Sequence, residues 1–226
     1  MPAFVSLLRR LGAAGLAVAV LGTLAAPAPA AAEIRILAFG DSLTAGFGLP
    51  ERKGFVPELE AWLHANGAPD VIVVNAGVSG ETTADGLARI GRDLTPDIDG
   101  VIVELGANDV LRGIDPRVTR RNLDGILEAI DARRLPAIVA GIPAPPNYDD
   151  ARRKAFKAVF RDVAAEHGAI YYGSFLAGMG QGRSIPEIMR LMQRDGIHPN
   201  RAGVAAIVDH IGPVVLELVA VARQRS

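Results

Sequence analysis

The chain reads as an α/β protein built on a five-stranded, mostly parallel sheet with helices on both faces. Two observations predict it. First, five short and nearly continuous apolar runs recur: IRILAFG (34–40), VIVVNAG (71–77), VIVELGAND (101–109), AIVAGIP (137–143) and AIYYGSF (169–175). A strand with one wet face alternates apolar with polar residues, whereas unbroken apolar strands are buried on both faces, as in parallel sheets. Second, helix-patterned segments separate the runs, at 55–64, 83–94, 116–134 and 150–167, with a last one from 199 to about 223. Strands that alternate with helices pair in parallel through crossover connections, which lay the helices over the sheet.

Length and composition fit one domain of this kind, since 226 residues, half of them apolar, can bury a sizeable core and would leave two small cores if divided. No internal repeat, linker or low-complexity tract follows residue 33. The N-terminus is set aside. Arg9 and Arg10 precede the apolar run 11–26, the small-residue stretch PAPAAA (27–32) follows, and Glu33 is the first acidic residue. The run is 16 residues long, where a membrane-spanning helix needs roughly 20. It predicts a signal peptide over 1–32, cleavage near Ala32, a folded domain over 33–226, export to the periplasm or beyond, and no stable membrane anchor.

There is no cysteine, which excludes disulfides and a lipid-modified thiol. Without residues 1–32 the chain keeps 22 basic against 25 acidic residues, 22 − 25 = −3, because Arg9 and Arg10 are two of its 24 cations. That balance argues against a nucleic-acid partner.

In doubly wound sheets, ligands bind beyond the carboxyl ends of the strands, where the strand order reverses. The first strand ends at Asp41-Ser42, the second runs into GVSGETT (77–83), and the third ends at GAND (106–109), so these polar clusters should share one edge. Ser42 would sit at a helix N-terminus, where unpaired N–H groups favour negative charge. A serine there is either a helix cap or a nucleophile. A nucleophile needs a base within hydrogen-bond reach and a third group to orient that base.

Four histidines are available. His64 and His167 each close a helical segment before a glycine turn, where an imidazole suits the carbonyl end of the helix. His210 lies within the last helical pattern, as a packing or surface residue. His198 stands apart, in RDGIHPNRAG (194–203), three residues after Asp195 and directly before Pro199. A following proline holds His198 extended, and Pro199 suits the first turn of the next helix. Across the Gly196 turn, Asp195 can reach one ring nitrogen and leave the other free to take a proton. Asp195 as a turn former beside a surface histidine is the plainer alternative.

Acyl transfer also requires donors for the oxyanion that forms when an oxygen nucleophile attacks a carbonyl. Asn108 offers a side-chain NH2, Gly80 a backbone N–H that substrate can approach closely, and Ser42 its own N–H. An Asx turn at Asn108 and simple loop flexibility at Gly80 account for either residue singly.

Together the blocks GDSL (40–43), SGET (79–82), GAND (106–109) and DGIHPN (195–200) resemble those of the GDSL, or SGNH, hydrolases, in the family's order and across nearly the whole of 33–226. GLARI (86–90), VELGANDVLRG (103–113) and PPNY (145–148) resemble the branch of bacterial thioesterase I/lysophospholipase L1 and arylesterases. The resemblance implies a three-layer α/β/α flavodoxin-like fold and a Ser-His-Asp triad. Carried onto this chain, it places the nucleophile on Ser42, the base on His198, the orienting acid on Asp195, and the oxyanion donors on Ser42, Gly80 and Asn108. Gly77 lies in the same loop, but the blocks assign the glycine role to Gly80. It further implies an esterase of aryl, short-acyl or lysophospholipid esters, extending to acyl thioesters, that uses no metal and no cofactor. Neither a zinc-binding H-E-x-x-H pattern nor a sufficient ligand set occurs around Asp195 and His198.

Phe47, Leu49 and Leu111, with the loop IPAPPNYDD (142–150), are expected together to rim the site with apolar surface, although covering the core is the better reading of any single one, and Met189 and Met192 either touch substrate or, as helical spacing more often means, pack. Such a rim suits a small-molecule or lipid ester bound by a monomer. Two rivals stand beside this. A carbohydrate-ester deacetylase would share the triad but needs polar or aromatic sugar platforms, for which the chain has three tyrosines and Trp62. A non-catalytic module could hold phosphate or flavin at the serine-bearing turn, leaving Asp195 and His198 without a task.

Overall fold

The computed structural model describes residues 33–144 and 148–225. The expected signal peptide, residues 1–32, and Pro145, Pro146 and Asn147 lie outside the described residues. Five strands, β1 (Ile34–Gly40), β2 (Val71–Gly77), β3 (Gly100–Glu104), β4 (Ala137–Ala140) and β5 (Ile170–Tyr172), make one sheet in the order β2-β1-β3-β4-β5. All four pairings are parallel. The order reverses between β1 and β3, and the register sets Gly40 beside both Gly77 and Glu104. The ends of the first three strands therefore do lie at one edge, around the switch point.

The helices are α1 (Ser42–Ala45), α2 (Phe55–Ala65), α3 (Thr83–Asp93), α4 (Ala107–Leu111), α5 (Pro116–Ala132), α6 (Asp150–Glu166), α7 (Ala177–Gly180), α8 (Ile185–Met189) and α9 (Arg201–Arg223). On one face α2 packs beside α9, which crosses β1, β3, β4 and β5, and on the other α3, α5 and α6 form a row. The three-layer α/β/α arrangement follows from sequence because the central strands are apolar throughout: Ile36, Leu37, Phe39, Val101, Ile102 and Val103 are all buried. From α9, Val204, Ile207, Ile211, Val215 and Leu218 are buried against the sheet and α2. Each such side chain contributes about 1.5–3 kcal/mol by leaving water. That burial explains why a helix long and apolar enough to cross a membrane lies within the core layer instead.

Two boundaries depart from expectation. The third apolar run is not one strand: β3 ends at Glu104 and residues 107–111 coil into α4. The buried Asp109 carboxylate stabilises that turn, accepting from Thr83 N at 2.8 Å, Thr83 Oγ1 at 2.5 Å and Thr119 Oγ1 at 3.0 Å. A buried carboxylate with three donors is satisfied, and it ties α4 to the starts of α3 and α5. The last helix, in turn, does not begin at Pro199. Asn200 is its cap, with Oδ1 accepting from Ala202 N at 2.9 Å and Gly203 N at 3.1 Å, while Pro199 pairs with Met192 in an isolated antiparallel bridge. Its carboxamide makes Asn200 the better start than the proline before it.

Candidate active site

Ser42 is not the helix cap. Asp41 takes that role, accepting from Leu43 N at 3.0 Å, so Ser42 is the first residue of α1 and its hydroxyl is released from capping. Oγ of Ser42 lies 2.9 Å from Nε2 of His198. Nδ1 of the same ring lies 2.8 Å from Oδ2 of Asp195. The other carboxylate oxygen, Oδ1, accepts from Ile197 N at 2.9 Å and His198 N at 3.0 Å. These N–H groups, first that of His198 and then that of Ile197, together with the imidazole, hold the Asp195 carboxyl down to about 2. An acid so fixed and ionised keeps the proton on Nδ1 and leaves the Nε2 lone pair facing the serine. The geometry thus brings together the three residues singled out in sequence, across 156 positions from Ser42 to His198.

Gly80 and Asn108 stand at the same place. Gly80 has φ +86, with open space where a Cβ would project. Gly77, by contrast, is a packing glycine: a Cβ there would come within 2.3 Å of Ala45 N. Asn108 lies on α4, and its Nδ2 donates to Asp41 Oδ2 at 3.1 Å and to the Glu81 carbonyl at 2.8 Å. The amide is therefore fixed in plane by two acceptors, and it is not an Asx turn.

Beneath these residues is a layer that sequence did not mark. Asp41 and Glu104 are both fully buried. Glu104 Oε2 accepts from Thr44 Oγ1 at 2.7 Å and, at the limit of bonding, from Asp41 N at 3.4 Å, while its Oε1 is buried without a partner. Burial, and then the negative charge of Asp41, raise the Glu104 carboxyl well above the usual carboxylate range. Burial also raises Asp41, to about 6, against the opposing pull of the Leu43 N–H, of His198 when its ring is protonated, and of the Asn108 amide. Arg89, buried on α3, braces the loop after β2: Nε meets Glu81 Oε2 at 2.5 Å, and Nη2 donates to the carbonyls of Ala76 at 2.9 Å and Gly40 at 3.1 Å. An arginine in a helix pattern reads as surface by sequence, because nothing local announces that it will neutralise strand-end carbonyls.

Ser42, Ser79, Gly80, Asn108 and His198 open onto a cleft of about 600 Å³, walled by Leu43, Phe47, Val110, Leu111, Ile142, Pro143, Leu176 and Ile197. Phe47 and Leu111 rim it as expected, Phe47 with its ring centroid 4.5 Å from that of His198. Leu49, Met189 and Met192 do not line it: Leu49 and Met192 pack on the core, and Met189 lies outside, against Gly196. Ile197 and Val110 were missed, for which only proximity to the His198 and Asn108 blocks gave any signal, and Leu176, distant from both blocks in sequence, was missed with no signal at all. Among the described residues no three His, Asp or Glu side chains are grouped to hold a metal.

Comparison with known proteins agrees with this architecture. Residues 38–206 match the GDSL-like Lipase/Acylhydrolase family. The chain belongs to that family. It is 35% identical over 189 residues to Esterase TesA of Pseudomonas aeruginosa, covering 83% of this chain and 90% of that protein. It is 36% identical to an arylesterase of Vibrio mimicus, covering 73% and 80%. With Thioesterase 1/protease 1/lysophospholipase L1 of Escherichia coli it shares 33% identity over 84% of this chain and 87% of the relative. Among solved structures, TesA superposes with a TM-score of 0.73 at 35% identity, covering 81% of this chain and 99% of that one. AlinE4, an SGNH-hydrolase family esterase, does so at 0.67 and 38% identity, covering 82% and 96%. This member of the family is an enzyme, a carboxylic ester hydrolase.

Proposed function

We propose that the chain hydrolyses esters of apolar acyl or aryl groups through a Ser42-His198-Asp195 triad and a covalent acyl-enzyme. The observation that carries this is the unbroken relay of 2.8 Å and 2.9 Å contacts from Asp195 through His198 to Ser42, ending at an apolar cleft. Neutral His198 takes the Ser42 proton at Nε2 as Oγ attacks the carbonyl carbon. The N–H groups of Ser42 and Gly80 and the Nδ2 of Asn108 stabilise the resulting oxyanion, Asn108 by sharing a hydrogen now given to Asp41 or Glu81. His198 then protonates the leaving oxygen or sulfur, the alcohol or thiol departs, and the same nitrogen activates the water that splits the acyl-enzyme. No step calls on a metal, so chelation should leave the rate unchanged.

The cleft walls support an apolar acyl or aryl group over a sugar: they contain no tyrosine or tryptophan among the described lining residues, and Trp62 packs instead on Gly212 of α9. Aryl, short-acyl and lysophospholipid esters, and acyl thioesters, are the substrates that fit. The test is turnover of p-nitrophenyl esters of graded chain length and of acyl-CoA by the chain from Glu33 onward, beside Ser42→Ala and His198→Ala. We expect turnover lost in both variants, and full activity of Ser42→Ala would overturn the mechanism. Export is supported by the Arg9-Arg10 and apolar run alone; recovery outside the cytoplasm of protein beginning at or near Glu33 checks it.

A further inference from the structure

Gln193 joins the two segments that carry the reacting groups. Its backbone N–H donates to the His198 carbonyl at 2.7 Å, and its own carbonyl accepts from Gly196 N at 3.1 Å, closing the turn that presents Asp195 and His198. Its side chain then leaves that turn. One amide, Nε2, donates to the Pro199 carbonyl at 3.0 Å and to the Phe47 carbonyl at 2.7 Å, the latter 146 positions away. Phe47 in turn donates its N–H to the Ser42 carbonyl at 3.1 Å. Room for the amide exists because residue 48 is glycine at φ +71, where a Cβ would meet Gln193 Oε1 at 2.3 Å. Both hydrogens of the amide are thus spent on carbonyls of the two catalytic segments.

We propose that Gln193 is a positioning residue that fixes the Ser42–His198 separation, and with it the Phe47 ring against the imidazole. This rests on the hydrolase reading above. A side chain with two donors in one plane bridges two acceptors without an ion's desolvation cost. Nucleophile and base held by it stay within hydrogen-bond reach between turnovers, and a displacement of about 1 Å between reacting groups can cost on the order of 10²-fold in rate. Gln193 does not line the cleft, so the effect falls mainly on kcat, and KM shifts only as far as the Phe47 wall moves.

The test compares Gln193→Ala, which removes the bridge, with Gln193→Glu, which keeps its shape but sets an acceptor against two carbonyl oxygens. Hydrolysis of a p-nitrophenyl ester is measured with active serine titrated by an organophosphonate, so that kcat refers to folded, reactive sites only. We expect kcat per titrated site to fall roughly 10- to 100-fold in both variants, further in Gln193→Glu, with KM within about threefold. An undiminished kcat per titrated site in either variant overturns the proposal, whatever happens to yield or melting temperature, because the residue would then serve folding alone. Ser42→Ala, which offers no serine to titrate, is assayed on the same ester per mole of total folded protein and keeps the two readings apart: an active Ser42→Ala defeats the hydrolase mechanism, whereas an inactive one beside a fully active Gln193→Ala defeats only the role of Gln193.

Discussion

Two histidines of this chain hold an aspartate at Nδ1, and they lie at opposite ends of the sheet. His198, at the carboxyl ends of the strands, meets Asp195 at 2.8 Å, and its other nitrogen faces the Ser42 hydroxyl. His167, just before β5, meets Asp131 at 2.6 Å, but its other nitrogen faces a second carboxylate, Asp124, at 2.8 Å. Carboxylates only accept, so this pocket satisfies both ring nitrogens of His167 only when both carry a proton, and it favours the imidazolium. Its pKa moves accordingly: partial burial pulls it down, but the hydrogen bonds to Asp124 and Asp131 outweigh that and raise it. An aspartate beside a histidine is therefore no mark of catalysis by itself. The partner of the second nitrogen decides whether the ring can accept a proton.

Activity should separate the two rings most sharply. His198→Ala is expected to lose on the order of 10⁴-fold or more in kcat/KM on a p-nitrophenyl ester, and His167→Ala to stay within about twofold. A comparable loss in both would break the contrast. The next effect belongs to the oxyanion. Asn108→Ala should lower kcat about 10²- to 10³-fold with little change in KM, and an unchanged kcat would remove Asn108 from the site. Its bonds to Asp41 and Glu81 predict that Asn108→Asp is no better, since a carboxylate there would face the Asp41 carboxyl instead of donating to it.

Much of this arrangement was legible because it is written locally. Apolar runs located every strand, and Ser42, Asp195 and His198 stood at chain turns outside any apolar period, each with a plainer reading as cap, turn former or surface residue that only their combination outweighed. What sequence did not show depends on residues meeting from afar. Asp41 and not Ser42 caps α1, and whether a serine caps or is freed depends on which neighbour reaches the Leu43 N–H. His167 was read as facing the end of its own helix, and its ring instead turns to two aspartates on α5, a different element. Gln193 and Arg89 look like ordinary polar residues until the carbonyls they bind, of Phe47, Gly40 and Ala76, arrive from other segments. Met192 has the side chain of a cleft residue and is packed on the core, while Ile197, two positions from Asp195, forms the wall.

The two ends also differ in what burial costs them. Beneath Ser42, Glu104 is buried with one unpartnered oxygen, whereas in the His167 cluster each of two half-exposed carboxylates meets a ring nitrogen. A carboxyl whose folded pKa lies above its unfolded value, about 4.3, destabilises progressively as pH rises beyond the unfolded value, because only the unfolded chain ionises freely. Glu104→Gln keeps the shape and an acceptor for Thr44 Oγ1. Melting temperatures between pH 5 and pH 8 should therefore fall less in Glu104→Gln than in the parent. An equal fall in both would mean that Glu104 does not titrate differently on unfolding.

The smallest effect is the mirror of this one. His167 has a folded pKa raised above its unfolded value, about 6.5, so its contribution is present in full below the unfolded value and is lost as pH rises through the folded one. Asp124 and Asp131 are each nearly half exposed, and water screens the pairs, which limits the contribution to about 1 kcal/mol at low salt. His167→Ala should be less stable than the parent at pH 6, indistinguishable from it at pH 9, and closer to it at pH 6 once salt is raised to 1 M, where the screening length shrinks to about 3 Å. Denaturant midpoints at those two pH values decide it. A deficit of equal size at pH 9 would show that the imidazole contributes by packing and not by charge, and the contrast with His198 would then rest on the second nitrogen's partner alone.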